Sequence, residues 1–553
     1  MYIGYHASRE FIVSSSSDIA TANLFNNQYF KYLDWLVFLH PKEINIAYDV
    51  DVFVASLCYL IGLTKEECQI LHDKEKLEIT PYRLTYFAGK FFAIDIGHGE
   101  GHPCFELINA AQTGYLQTHY KEVETLEDIQ EKAKEAHSLI VGLSRAYKRL
   151  GLTLERFGGE DIFGSPIKAF LKAIKLNHIP TMDDMPIEVS QMAWEAVKGS
   201  WVETYAMGLI ENCHDYDLNL AYAAELAKIP DFRKGTWIHS KEIPDKATHG
   251  IATGMQSTQA HFHPYIVKVG NENSTSVGTY PNTISLQKIR CMQKYKNAEF
   301  KISDGHFWIP SEYGNQFQPY KGTVNYLWNM RQGQTGIDKG LCTRLYASLY
   351  GLSLQTLPNK KGFGDYYCPI VGMTVEDNTH INIFETCYNN GITPLAIMTD
   401  GFLSPKELPI HSTELGKWKL SYKGKVIINS ANAIAFEGKD EGASELALKY
   451  NWLINEIRKN PEATSYSKSK YSPVTLSKAL AYLGQDFNKL GMIEKVELKF
   501  NVGQDRKRAF FRKPITGADL ISGQIYDSMP LPYDVVSMPT QILERADEVR
   551  PRT

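Results

Sequence analysis

At 553 residues, with 43% hydrophobic and 22% charged side chains, the chain can bury several cores, which excludes a single small module and predicts three or more subdomains. A formal net charge of −4 excludes a uniformly basic coat for nucleic acid and leaves only local concentrations of Lys and Arg to form a groove. Eight cysteines with no C-x-x-C pair, and no histidine at zinc-ligand spacing, argue for reduced, buried thiols and against a structural zinc site. The opening MYIGYHASREFIVSSSS lacks the basic and apolar regions of a signal peptide, and no window approaches about eighteen consecutive apolar residues; no membrane partner and a cytoplasmic location are therefore expected.

In chain order, the strand-like REFIVSS is followed by the helical run LFNNQYFKYLDWLVFLH, by EINIAYDVDVFVASLCYLIGL, and by two short β-rich runs ending at FFAIDIG. These predict an α/β domain over residues 1–150, closed by a helix across 122–150 that carries i,i+4 charge pairs and stops at Gly151. Residues 151–198 read as a connector. Next comes ENCHDYDLNLAYAAEL, residues 211–226, in which a short strand ends at Asp217 and leads through Leu218 into a turn or helix bearing Tyr222. A carboxylate at a strand end with apolar neighbours suits a magnesium ligand on the floor of a cleft, although a surface Asp capping a helix has the same local pattern.

The stretch FQPYKGTVNYLWNMRQGQTGIDKGLCTRLYASLYG, residues 317–351, is partly amphipathic and carries Arg331, Lys339 and Arg344, cations suited either to a triphosphate or to a solvated helix face. In NNGITPLAIMTDGFLS, residues 389–404, the apolar PLAIM runs into Thr399, Asp400 and Gly401, predicting a hairpin with Asp400 at its tip. Two such acids can share a pair of divalent ions about 4 Å apart, which is the arrangement of two-metal phosphoryl transfer. The closing region holds the helical ASELALKYNWLINEIRK and the basic-aromatic cluster QDRKRAFFRK, residues 504–513, which suits either a nucleic-acid wall or an exposed hairpin without a ligand.

Taken in order, these elements resemble motifs A, B and C of family B DNA polymerases, especially the small protein-primed type of viruses and mobile elements. Motif A is similar to Asp217-Leu218-Asn219-Leu220-Ala221-Tyr222-Ala223, motif B to Thr343-Arg344 through Ser348-Leu349-Tyr350-Gly351, and motif C to Ala396-Ile397-Met398-Thr399-Asp400-Gly401. KGSWVETYAMG, residues 198–208, resembles the glycine-containing linker that touches template, here through Gly199 and Ser200. The resemblance implies a right-hand polymerase (α/β multidomain; palm, fingers, thumb) with an N-terminal exonuclease-like, RNase H-like α/β domain. The boundaries implied are residues 199–260 for the first palm segment, 261–314 for a β-rich insertion, 315–351 for fingers, 352–440 for the second palm segment and 441–553 for the thumb.

The implied activity is DNA-directed DNA synthesis with two Mg2+ or Mn2+ ions held by Asp217, Asp400 and the Leu218 carbonyl. The implied partners are a DNA template and primer, deoxynucleoside triphosphates and a terminal priming protein. Nucleotide would be held by Tyr222, whose ring excludes a 2′-hydroxyl, by Arg331 in preference to Lys339, by Arg344, and by Tyr350 with Gly351. DNA would meet Gly199, Ser200, Arg506, Lys507, Arg508, Arg512 and Lys513.

Several positions depart from the family pattern. Met398 replaces an acid of motif C, Thr343 replaces the motif B lysine, Ala223 replaces a proline, and INSANAIAF, residues 428–436, lacks the primer-gripping lysine. The exonuclease acids also look incomplete: serines of FIVSSSS replace the first motif, His137 stands where an Asp is expected, and Asp49 and Asp51 read as structural. Met398 follows Gly351 by only 47 positions, leaving no space for an encircling insertion, so strong processivity is not expected. Two other functions remain open to this sequence: a polymerase fold that has lost catalysis and binds DNA or a partner, and template-independent nucleotidyl transfer.

Overall fold

A computed structural model describes residues 179–537 apart from 270–271, 358–361, 441–446, 482–486 and 506; residues 44–109 apart from 48, 74, 89–90 and 98–103; and Tyr2–Tyr5, Phe11–Ser14, Leu33 and scattered positions between 120 and 149. The chain forms two compact units. The first comprises Met1–Lys175, Gly333–Leu341 and Ser467–Leu498; the second comprises Leu176–Gln332, Cys342–Tyr466 and Lys499–Thr553.

The first unit is built on seven strands, β1 (Tyr2–Tyr5), β2 (Phe11–Ser14), β3 (Ile44–Ala47), β4 (Leu77–Ile79), β5 (Tyr82–Phe87), β6 (Phe91–Ile96) and β7 (Cys104–Asn109), in the order β2-β1-β3-β7-β6-β5-β4. β1, β3 and β7 run parallel, and the remaining pairs are antiparallel. The Val50–Leu60 helix starts at Asp49, whose side chain accepts from the backbone N–H groups of Asp51 at 2.9 Å and Val52 at 3.4 Å. Its apolar residues, mostly buried from Val50 to Cys58, pack with Phe92, Phe105 and Leu107 of the sheet.

Residues Ser467–Leu498, expected within the thumb, belong instead to this first unit: Val474, Leu476, Ala479 and Leu490 share its apolar core. Gly491 shows how close that packing is, because a Cβ there would stand 2.1 Å from Ser56 Oγ. A division drawn along the chain cannot register such a return. The expected helix over 122–150 lies mostly, and His137 entirely, outside the described residues, as do Ser15 and its following serines.

The second unit has at its centre an eight-stranded sheet containing β8 (Trp201–Thr204), β9 (Ala206–Leu218), β16 (Ala396–Thr399), β17 (Gly401–Ser404), β18 (Trp418–Ser430) and β19 (Ala433–Phe436), in the order β19-β18-β9-β17-β16-β8. Strands β22 (Arg508–Phe510) and β23 (Tyr526–Pro530) complete it, with β23 pairing to β9. Period-two alternation divides its side chains. Tyr216, Leu218, Ile397 and Phe402 meet Ile383, Phe384 and Cys387 of the Pro369–Asn389 helix on one face. Cys213, Ala396, Leu403 and Val426 form an apolar cluster on the other, with Met398 packed against it.

In sequence between β9 and β16 comes a separate four-stranded sheet, β10-β15-β11-β14, formed by β10 (Gly235–His239), β11 (His249–Thr258), β14 (Gly278–Ser285) and β15 (Ala298–Pro310); it begins before the expected insertion boundary at 261. A small ribbon, β12 (Val267–Val269) with β13 (Glu272–Ser274), also belongs to this unit, whereas the ribbon of β20 (Ser465–Pro473) with β21 (Ile493–Asn501) falls mostly within the Ser467–Leu498 segment of the first. The eight cysteines are free, and all but Cys104 are buried. Among the described residues no helix is long and apolar enough to cross a membrane.

Candidate active site

Asp217 stands near the end of β9, in register with Gly401 of β17 on one side and Lys419 of β18 on the other. Asp400 occupies the tight connection between β16 and β17, where Met398 pairs with Gly401 and the Leu218 N–H donates to the Asp400 carbonyl at 3.2 Å. The strands can close here only because residue 401 is glycine: a Cβ would lie 2.8 Å from the Tyr216 carbonyl oxygen and 3.6 Å from Asp217 Oδ1. Thr399, immediately before Asp400, has φ 63°, and Leu220, shortly after Asp217, has φ 54°. A β-branched residue in the left-handed region costs about 1–2 kcal/mol, and such strain persists where surrounding structure over-determines it. Two of the non-glycine residues at positive φ thus flank the two acids.

Burial, and then the charge of Asp217, push the Asp400 carboxyl up to about 6. Asp215, which the sequence reading left without a role, shares the face of β9 with Asp217; burial first and Asp217 after it push it up to about 6 against the opposing effect of Lys439. The only signal for it was the period-two spacing in HDYDL. Lys419 Nζ lies 2.5 Å from Asp217 Oδ2 and is the counter-ion of this carboxylate group. Met398 lies in the same cross-strand row as Asp217, with Gly401 between them, and its thioether packs on the apolar cluster of the sheet.

Around the acids, Tyr222 of the Ala221–Leu226 helix stacks on Tyr350 of the Gly336–Leu352 helix, with ring centroids 4.7 Å apart and planes inclined by 23°. Burial, then the charges of Glu376 and Asp400, hold the Tyr222 hydroxyl protonated well above its usual range. Tyr350 donates to Glu376, and the same carboxylate accepts from the Gly199 N–H at 2.9 Å. Glu376 is therefore the post that ties the 198–208 segment to the stacked rings, a residue not anticipated from the sequence. Gly199 has φ 77°, and Ser200 beside it is exposed. A Cβ on Gly351 would meet no protein atom within 4 Å, so packing inside the chain does not require glycine there.

Arg331 ends the Lys321–Arg331 helix, and its Nε donates to Thr343 Oγ1 at 3.2 Å. The cation thus reaches Thr343, where the resemblance noted in the sequence implies a lysine. Arg344, next to Thr343 in the Gly336–Leu352 helix, is exposed, whereas Lys339 lies in the segment Gly333–Leu341 that clusters with the first unit.

The basic cluster divides. Arg512 and Lys513 are exposed beside Phe511, which is 82% exposed, and Arg506 lies outside the described residues. Lys507 Nζ donates to the Val202 carbonyl at 3.2 Å. Arg508 corrects the sequence expectation of a DNA contact: it is 3% exposed, and Nη1 reaches Glu203 Oε1 at 2.6 Å. Glu203 also accepts from Trp201 Nε1 at 2.9 Å and from Thr275 Oγ1 at 2.5 Å. Burial opposes its ionisation, but Arg508, Thr275 and Trp201 more than offset that, and its carboxyl is held below the usual range.

In the first unit Asp49, besides capping its helix, accepts from Tyr120, and Asp51 accepts from Tyr86 at 2.5 Å. Burial, then the charge of Asp51, raise Asp49 to about 6.

No protein-family profile matches the chain, and no curated protein matches it in sequence. Solved structures do. Phi29 DNA polymerase in a ternary complex with primer-template DNA and incoming nucleotides superposes with a TM-score of 0.59 at 12% identity, covering 91% of this chain and 99% of that one. The same polymerase with single-stranded DNA gives 0.58 at 13% identity over 91% and 98%. Its orthorhombic crystal form gives 0.58 at 13% identity over 89% and 96%. The chain has the fold of phi29 DNA polymerase.

Proposed function

We propose that this chain is a DNA-directed DNA polymerase of the family B type, adding deoxynucleotides to a primer 3′-hydroxyl or to a hydroxyl of a terminal priming protein. The observation that supports it most is the juxtaposition of Asp217 and Asp400 through the Gly401 register, in a chain that shares the phi29 polymerase fold over nearly that protein's whole length. In this reading the eight-stranded sheet is the palm, the two helices bearing Arg331 and Tyr350 are fingers, and Arg512 and Lys513 belong to a wall that meets DNA phosphates. The partners are template, primer and deoxynucleoside triphosphates.

The donors at the acid pair are carboxylate oxygens, a hard set that fits Mg2+ or Mn2+. When bound, the two ions would neutralise triphosphate charge and lower the pKa of the attacking hydroxyl. Asp217 and Asp400, with the Leu218 carbonyl, would hold them; Asp215 adds negative potential behind the pair. Lys419 keeps Asp217 paired and must turn aside as cations bind, which its 39% side-chain exposure permits. Arg331 takes the place of the absent lysine on the triphosphate. A charge-assisted contact of this kind contributes about 1.5–3 kcal/mol. The first unit is proposed to keep the exonuclease fold without its chemistry, since Asp49 is occupied as a helix cap and by the Tyr120 hydroxyl.

Extension of a labelled primer in Mg2+ or Mn2+ tests this reading against Asp217→Ala and Asp400→Ala. Wild type is expected to extend and both variants to fail; equal silence of all three on DNA and protein hydroxyls overturns the assignment. Tyr222 gives a more specific prediction. With its ring fixed against Tyr350 it blocks the 2′ side of the sugar, so Tyr222→Val is expected to reduce discrimination against ribonucleotides by at least about tenfold, or about 1.4 kcal/mol. Comparing kcat/KM for the two sugars measures it, and an unchanged ratio removes Tyr222 from that role.

A further inference from the structure

Outside the proposed active site, one group of side chains has the chemistry of a metal centre. His239, at the end of the edge strand β10, is in direct register with His306 of β15, and their rings stack with centroids 4.9 Å apart at 25°. Asp304 precedes His306 by two residues, so period-two alternation puts both on one face of β15, and Asp304 Oδ1 lies 2.5 Å from His239 Nε2. One donor atom from each of the three lies within 4.8 Å of the others. They line an open cleft of about 610 Å³ together with Glu188 and Glu195 of the Ile187–Ala196 helix.

We propose that His239, Asp304 and His306 form a transition-metal site, separate from the palm acids, that takes Zn2+. Two imidazoles and a carboxylate select zinc over the harder Mg2+ and Ca2+. Zinc–nitrogen and zinc–oxygen bonds of about 2.0–2.2 Å require the three donor atoms to surround a common point, which side chains already gathered within 4.8 Å reach by small rotations. The fourth position falls to water or to a carboxylate of the facing helix, and Glu188 and Glu195 stand on that side of the cleft. Bound there, the ion joins edge strand β10 to β15. A simple surface ion pair between His239 and Asp304 would account for those two residues, but it leaves the second imidazole, stacked on the first and turned into the same cleft, without a purpose. Side-chain exposures of 64% for His239 and 47% for Asp304 give a cation direct access.

The test uses the full chain stripped with chelator, with Zn2+ followed by equilibrium dialysis and Co2+ by its visible d–d absorption. Wild type is expected to bind one equivalent of Zn2+ in the micromolar range or tighter, and Asp217→Ala/Asp400→Ala is expected to bind it equally. His239→Ala/His306→Ala should weaken binding by at least about tenfold and abolish the Co2+ spectrum, and Asp304→Asn should weaken it measurably. Circular dichroism and thermal melting of the stripped variants show whether they are folded. Binding of Zn2+ by the folded histidine variant as tightly as by wild type overturns the proposal, and so does wild-type binding weaker than about 100 μM. Neither result bears on the polymerase reading, which rests on different residues.

Discussion

Asp400→Asn is expected to move stability and activity in opposite directions. Burial and the neighbouring Asp217 raise the Asp400 carboxyl to about 6 from an ordinary 3.8, so its ionised form is disfavoured in the metal-free fold. The sign follows from linkage. Between the two values the folded chain holds the proton more tightly than the unfolded chain does; the contribution of Asp400 is fully present below about 3.8 and is lost as pH rises through about 6. At pH 7.5 the neutral amide should therefore stabilise the metal-free protein, by an amount on the order of 1–3 kcal/mol. The advantage over wild type should shrink as pH falls through about 6 and vanish below about 3.8, where the acid is protonated in both the folded and the unfolded chain. The comparison must be between variant and wild type, because the buried His249, His263 and His380 are held neutral by burial and pull the overall acid dependence the other way. In the same variant primer extension should fall by at least about 100-fold if Asp400 holds a metal as proposed, since losing a direct ligand exceeds the 10–100-fold typical of losing a group behind one. Paired melting curves and single-turnover rates report both effects. A variant less stable than wild type at pH 7.5 without metal contradicts the electrostatics derived for this site.

The second large effect is expected at Arg508. Its guanidinium is buried against Glu203, which also receives Trp201 and Thr275, so Arg508→Met strands a carboxylate in an apolar setting. Breaking such a pair costs about 3–5 kcal/mol, whereas a surface DNA contact contributes little to folding. Urea or thermal unfolding should show the loss, with Glu203→Gln/Arg508→Met less affected than Arg508→Met alone. Arg512→Ala and Lys513→Ala, on exposed side chains, should leave the unfolding midpoint unchanged. If Arg508→Met unfolds like wild type and only weakens DNA binding, the buried assignment is wrong.

The contrast between Arg508 and the acid pair shows what the sequence could reveal. Asp217 and Asp400 were legible because each sits at a local signal, an acid at the end of an apolar strand, and because the hairpin turn between Met398 and Gly401 is specified by neighbouring residues. Their meeting depends on the register between β9 and β17, which the resemblance to a known family supplied and composition did not. Lys419 was invisible as a partner of Asp217 for the same reason: it arrives on β18 from far along the chain. Within QDRKRAFFRK every cation looks alike, yet Arg508 is turned inward by the pairing of β22 with β23, while Arg512 remains in solvent. Ser467–Leu498 looked like a continuation of the thumb because apolar periodicity shows that a face is buried without showing against what. His239 and His306 lie too far apart in sequence for any spacing rule to join them; the antiparallel register of β10 and β15 does so.

Template-directed DNA synthesis at Asp217 and Asp400 is tested by single-nucleotide incorporation on four primed templates that differ only in the next templating base. The expected result is incorporation that needs Mg2+ or Mn2+, follows the complementary deoxynucleotide on each template, and is absent from Asp217→Ala. Incorporation of the same nucleotide on all four templates, or activity that survives Asp217→Ala, rules out template-directed synthesis at these acids.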